Sequence, residues 1–250
     1  MRLNRRGFLT GLAACPVCAG LARADSGPHW VYEGHGGAKD WGQLSPKFKA
    51  CAVGAEQSPI DLKGGVKADV GSLAIEWIPE AYRVANNGHT IQCDVTAKCG
   101  IQLDGQPFSL KQFHFHTPSE HALDGARTEM EVHFVHANAQ GKLAVVGVLM
   151  KAGAKHKPFA AIMAAAPKQE GVAPLSEALD PAGFLPAAQA RYRYAGSLTT
   201  PPCSETVDWN VFEQTIEVAA EDSAAFKALF PMNARPLQSI GRRFLLKSGA

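Results

Sequence analysis

Gln112-Phe113-His114-Phe115-His116 is the stretch from which the rest of the chain can be read. Side chains alternate across a β-strand, so Gln112, His114 and His116 share one side while Phe113 and Phe115 take the other. Two imidazoles at i and i+2 on a stiff strand can reach one metal ion, with the phenylalanines packed beneath them. A third imidazole follows in Glu131-Val132-His133-Phe134-Val135, which alternates in the same way. Three neutral nitrogen ligands leave one corner of a zinc tetrahedron open, the arrangement of a catalytic rather than a structural site. With nine histidines in the chain an isolated H-x-H carries little weight, so its partners have to support the reading.

Composition narrows the class. The 250 residues are 46% hydrophobic and 19% charged, enough for a buried core in a soluble domain. Formal net charge is +2, too small to suggest a nucleic-acid partner. Residues 1–24 contain Arg2, Arg5, Arg6 and Arg23 and no acid, so their removal leaves 21 bases against 23 acids. Arg5-Arg6-Gly7-Phe8-Leu9, the short apolar run to Leu21 and Ala22-Arg23-Ala24 are similar to a twin-arginine export signal cleaved after Ala24. The run is too short for a stable membrane span. Leu12-Ala13-Ala14-Cys15 resembles a lipoprotein box, and cleavage after Ala24 is preferred because the apolar run before Cys15 is so short.

Residues 25–250 contain no obvious linker and read as one domain. Short alternating runs at Leu73 to Trp77, Thr90 to Val95, Phe108 to His116, Thr128 to His136 and Leu143 to Met150 predict a sheet-rich fold with long loops. Helices are expected at Lys157 to Ala166 and Ala220 to Phe230, the second with Glu221 and Asp222 near its positive end. Cys51, Cys93, Cys99 and Cys203 remain after the leader, and export favours pairing. Cys93 and Cys99 flank a short turn and either face each other or stay as buried thiols. Cys51 with Cys203 would close a long loop, stabilising by roughly 5 kcal/mol at most.

Several segments together resemble the α-class carbonic anhydrases. They are Gln57-Ser58-Pro59-Ile60, Asn86-Asn87-Gly88-His89, the run from Gln112 to His121, Glu131 to His136, and Gly196-Ser197-Leu198-Thr199-Thr200-Pro201-Pro202. The matches run in the family's order from Trp30 to Arg235, and Thr117-Pro118-Ser119-Glu120-His121 looks like the bacterial branch. The resemblance implies a mixed, β-dominated single domain around a large, mostly antiparallel central sheet of about ten strands with a few short peripheral helices. It implies Zn2+ held by His114, His116 and His133, with Gln112 and Glu131 accepting from the far nitrogens of His114 and His133.

The same resemblance gives Thr199 and Glu120 the task of orienting a zinc-bound hydroxide, with Thr199 and Thr200 beside bicarbonate. His89 becomes a proton shuttle, since the ordinary histidine pKa near ~6.5 suits that residue type to pass a proton to buffer. Tyr32 and Asn87 match the family's water-ordering side chains, while Gln92 stands where an asparagine is usual. Val135, Val145, Leu198, Val207 and Trp209 match the apolar carbon dioxide pocket. A Cys51–Cys203 bridge would tether the Thr199 loop.

The expected activity is reversible hydration of carbon dioxide to bicarbonate and a proton, with hydrolysis of small esters as a compatible side reaction. Inactive relatives typically lack a ligand histidine, and zinc-storage proteins carry flexible His-rich tracts; this chain does neither. Its expected partners are small molecules, as a monomer or homodimer, periplasmic or secreted.

Overall fold

The computed structural model describes residues 28–249. The leader, with Cys15 and Cys18, lies outside the described residues. The early strands are β1 Val66–Ala68, β2 Leu73–Glu76, β3 Arg83–Asn86, β4 Ile91–Asp94, β5 Gly100–Leu103 and β6 Gln106–His116. Then come β7 Ala122–Leu123, β8 Ala126–Arg127, β9 Met130–Ala137, β10 Leu143–Ala152 and β11 Gly171–Pro174. The last are β12 Arg191–Gly196, β13 Val207–Phe212, β14 Ile216–Val218 and β15 Leu246–Ser248. Four α-helices accompany them: α1 Trp41–Leu44, α2 Ala50–Val53, α3 Lys157–Ala165 and α4 Ala220–Leu229.

Thirteen of the strands form one sheet in the order β1-β15-β12-β13-β10-β9-β6-β4-β3-β11, with β14 added to β10 and β5 joining β2 to β6. All its pairings are antiparallel except β1–β15, β10–β13 and β10–β14. The large, mostly antiparallel sheet with few helices is the expected architecture. β9 lies mid-sheet and is buried along its whole length, which is why it carries apolar residues on both faces.

One irregularity sets the faces of β6. Phe108 and Leu110 belong to the same core as Phe113 and Phe115 although their parity in the sequence differs. A β-bulge between Leu110 and Gln112 absorbs the extra residue and shifts the alternation by one. Beyond it, Phe113 and Phe115 point into a phenylalanine-rich layer under α3 and α4; Phe115 meets Phe159 at 4.8 Å and Phe113 meets Phe134 at 5.1 Å. Gln112, His114 and His116 are thereby turned to the other face.

Cys51 and Cys203 are joined, with Cα atoms 5.1 Å apart and a sequence separation of 152. Cys93 and Cys99 are free and buried, so the hairpin pairing between them does not form. Neither strand beside them pairs with the other: β4 and β5 each lie against a different part of β6. Both thiols pack as small apolar groups in the phenylalanine core.

His136 lies on β9 with no solvent exposure. The Trp77 indole N–H donates to its Nε2 at 3.1 Å, and its Nδ1–H donates to the Ala144 carbonyl at 3.2 Å. Both contacts suit the neutral ring, and burial pushes its pKa down to about 3. In the unfolded chain it would protonate near ~6.5. Between those values the unfolded state binds the extra proton, so stability falls as pH falls. Urea denaturation from pH 7 down to pH 3 should show His136 contributing a loss of up to about 1.4 kcal/mol per pH unit. A His136→Gln variant should lose that part of the slope; equal slopes in the two proteins would contradict it.

Candidate metal centre

The register of β6 against β9 puts His114 opposite His133 and His116 opposite Glu131. Side-chain nitrogens of His114, His116 and His133 all lie within 4.8 Å of one another. Each ring is held by one nitrogen. His114 Nδ1 is 2.8 Å from Gln112 Oε1, His116 Nδ1 is 2.7 Å from the Asn233 carbonyl, and His133 Nε2 is 2.8 Å from Glu131 Oε1. These acceptors fix ring orientation and leave His114 Nε2, His116 Nε2 and His133 Nδ1 as free lone pairs. His116 Nε2 is buried with no hydrogen-bond partner among the described residues. Three neutral nitrogens with no cysteine among them fit a zinc ion with an open position.

Burial sets the electrostatics. It lowers the pKa of His114 well below the usual value, helped by the two other imidazoles, and lowers that of His116 against the pull of Glu120. For His133 burial acts in the same direction, but the Glu131 carboxylate outweighs it and raises the value. Glu131 itself is buried, which would push its pKa up; His121 and His133 outweigh that and hold it well below the carboxylate range. Its Oε1 takes both His121 Nδ1 at 2.7 Å and His133 Nε2, and its Oε2 accepts the His121 amide. His121 Nε2 continues to the Tyr194 hydroxyl at 2.7 Å, which lies 2.9 Å from Ser58 Oγ. His121, Glu131 and His133 also converge, but their polar atoms are already engaged with one another.

Glu120 lies at the back of the site with no solvent exposure. The Arg235 amide donates to its Oε1 at 2.8 Å. Its Oε2 has no hydrogen-bond donor among the described residues and stands 3.6 Å from His116 Nε2 and 3.9 Å from His133 Nδ1. Thr199 is buried on the loop closed by the Cys203 amide, which donates to the Thr200 carbonyl at 2.9 Å. Thr199 and Glu120, expected to act together, form no hydrogen bond with each other among the described residues. The disulfide anchors this loop, and Gln57 Nε2 donates to the Cys203 carbonyl at 3.1 Å.

The five residues of the expected apolar wall come together. Val135 pairs with Val145, and Val145 with Trp209, across β9, β10 and β13; Val207 and Leu198 join the same cluster. Trp209 meets the His133 ring edge-on at 4.8 Å, and its indole N–H is spent on the Ser197 carbonyl.

His89 sits on the turn between β3 and β4, half-buried. Trp30 stacks flat on its ring at 3.8 Å with 6° between planes, and Tyr32 approaches at 6.5 Å. Asn87 Oδ1 accepts the amides of His89 and Thr90, so this side chain shapes the turn. Gln92 lies opposite His114 in the register, and its amide donates to Asp94 Oδ1 at 2.6 Å.

Sequence reading had missed Asn233, Arg235 and the His121–Tyr194–Ser58 chain as parts of this centre. Asn233 holds His116 through its carbonyl, and its side-chain amide donates to the carbonyls of His89 and Phe115. Arg235 donates to the carbonyls of Ser58 and Cys51, and burial lowers its pKa to about 10. Nothing in the local pattern around either residue marks it; each acts across more than a hundred positions.

Comparison with known proteins bears on this geometry. The model of the family described as eukaryotic-type carbonic anhydrase matches residues 36–248. A carbonic anhydrase of Nostoc is 40% identical over 246 residues, covering 96% of this chain and 92% of its own length. One from Pectobacterium carotovorum is 36% identical, covering 96% and 99%. The α-carbonic anhydrase of Thermovibrio ammonificans, solved with the inhibitor sulfanilamide, superposes with a TM-score of 0.87 at 39% identity, over 89% of this chain and all of that one. Fold, motif order and these likenesses agree, and the chain belongs to the α-class, eukaryotic-type carbonic anhydrase family of lyases.

Proposed function

We propose that His114, His116 and His133 hold one Zn2+ and that the chain catalyses the reversible hydration of carbon dioxide to bicarbonate and a proton. The observation that carries this is the set of three free nitrogens within 4.8 Å of one another, each ring braced by its own acceptor. Bound there, zinc would lower the pKa of a coordinated water far below that of bulk water, to the value of about 7 known for carbonic anhydrases in general, and so make hydroxide available at neutral pH.

The protein's own residues do the rest. Glu120 Oε2, buried and without a donor among the described residues, is placed to accept a hydrogen bond from the Thr199 hydroxyl. Thr199 is then left as an acceptor that orients the nucleophile toward the substrate carbon. The Thr199 amide and Thr200 receive the bicarbonate oxygens. Val135, Val145, Leu198, Val207 and Trp209 form the wall that holds carbon dioxide and leaves no room for bulky acyl groups; hydrolysis of small esters is a side activity. His89 carries the product proton to buffer, through waters ordered by Tyr32, Asn87 and Gln92.

The Cys51–Cys203 bridge and the bacterial relatives support an exported protein, with residues 1–24 as its twin-arginine-type leader and 25–250 as the catalytic domain. No helix among the described residues is long and apolar enough to cross a membrane.

Stopped-flow measurement on zinc-loaded protein should show rapid carbon dioxide hydration that His114→Ala removes. Equal rates in the two proteins would refute the activity. His89→Ala should slow turnover in weak buffer and recover when imidazole is added; no change in either condition would reject the shuttle.

A further inference from the structure

Glu170 immediately precedes β11, and β11 pairs with β3 so that Gly171 lies opposite Asn86. The Asn86 side-chain amide also donates to the Pro167 carbonyl at 3.0 Å. These two links fix the segment from 167 to 171 against the turn that carries Gly88 and His89. A β-carbon at Gly88 would stand 2.9 Å from Glu170 Oε1 and 3.2 Å from its carboxyl carbon. The carboxylate therefore lies against the Gly88 α-carbon, in space that any other residue's side chain would take. Gly88 also has φ +83°, a conformation glycine adopts without strain. Among the described residues Glu170 forms no ion pair.

We propose that Glu170 is a positioning residue for proton transfer, its carboxylate beside the Gly88 turn stabilising the proton-carrying form of His89. This rests on the shuttle reading of His89 given above. Three elements bear on that imidazole. The N-terminal segment brings His29, Trp30 and Tyr32, whose hydroxyl burial keeps above its usual range; the turn brings its own backbone; the segment before β11 brings Glu170. Burial disfavours the imidazolium, the neighbouring His29 disfavours it further, and Glu170 is the counterweight. A relay works best when its pKa stays near that of the group it serves, so a carboxylate beside a half-buried shuttle has a direct use. Glu170 is exposed, so its influence is Coulombic and screened by salt.

The test is an NMR titration of His89 in the zinc-loaded protein, alongside the pH profile of carbon dioxide hydration. Glu170→Gln should move the His89 midpoint to lower pH, and Glu170→Lys should move it further. Both displacements should shrink at high ionic strength. The kcat profile should move with the midpoint, while kcat/KM stays unchanged because Glu170 lies outside the metal centre. An unchanged midpoint in both variants overturns the proposal, as does a fall in kcat/KM, which would mark Glu170 as a structural support. The two readings fail separately. Failure of the shuttle appears as turnover that His89→Ala leaves intact in weak buffer; failure of the Glu170 role appears as a midpoint that ignores the charge at position 170.

Discussion

The register between β6 and β9 is the constraint on which the centre depends. His114 sits directly across from His133, and His116 across from Glu131. Side chains repeat every second residue along a strand, so a slip of one position would carry His114 and His116 into the phenylalanine layer and Phe113 and Phe115 out of it. The bulge between Leu110 and Gln112 sets the phase at one end. At the other, Asn233 takes the His116 ring on its carbonyl, and its side-chain carbonyl accepts the Thr117 amide at 2.7 Å. Packing on one face and hydrogen bonds on the other thus specify the same alignment.

Around this pair the protein buries charge, which is costly unless every charge has partners. Glu131 meets the requirement with three hydrogen bonds, two from His121 and one from His133. Glu120 is only half satisfied: one oxygen takes the Arg235 amide, the other faces the site without a donor. Buried polar atoms are rarely left so. In the proposed mechanism two orphaned atoms of the centre are explained together, Glu120 Oε2 by the Thr199 hydroxyl and His116 Nε2 by the metal.

Much of this was legible in the sequence because its signals are local. Alternation in Gln112–His116 and Glu131–Val135 exposed the three histidines and both side-chain acceptors two residues before them. The central strands were legible for the same reason, although β6 begins at Gln106 and β10 runs on to Ala152, where pairing partners rather than residue type decide the end. Asn233 was not legible, since its role is played by a backbone carbonyl 117 residues from His116 and any residue supplies a carbonyl. Glu170 was hidden for a related reason: only the pairing of β11 with β3 brings it to Gly88. The fate of Cys93 and Cys99 turned on strand order, which spacing alone left open.

The central claim is that three imidazoles bind zinc and leave one position for water. Zinc K-edge X-ray absorption on the metal-loaded protein tests it most directly. The account predicts one zinc per chain with three nitrogens and one oxygen at about 2.0–2.1 Å and no sulfur shell. A sulfur shell at about 2.3 Å, a fourth protein nitrogen, or a protein that retains no zinc would contradict it.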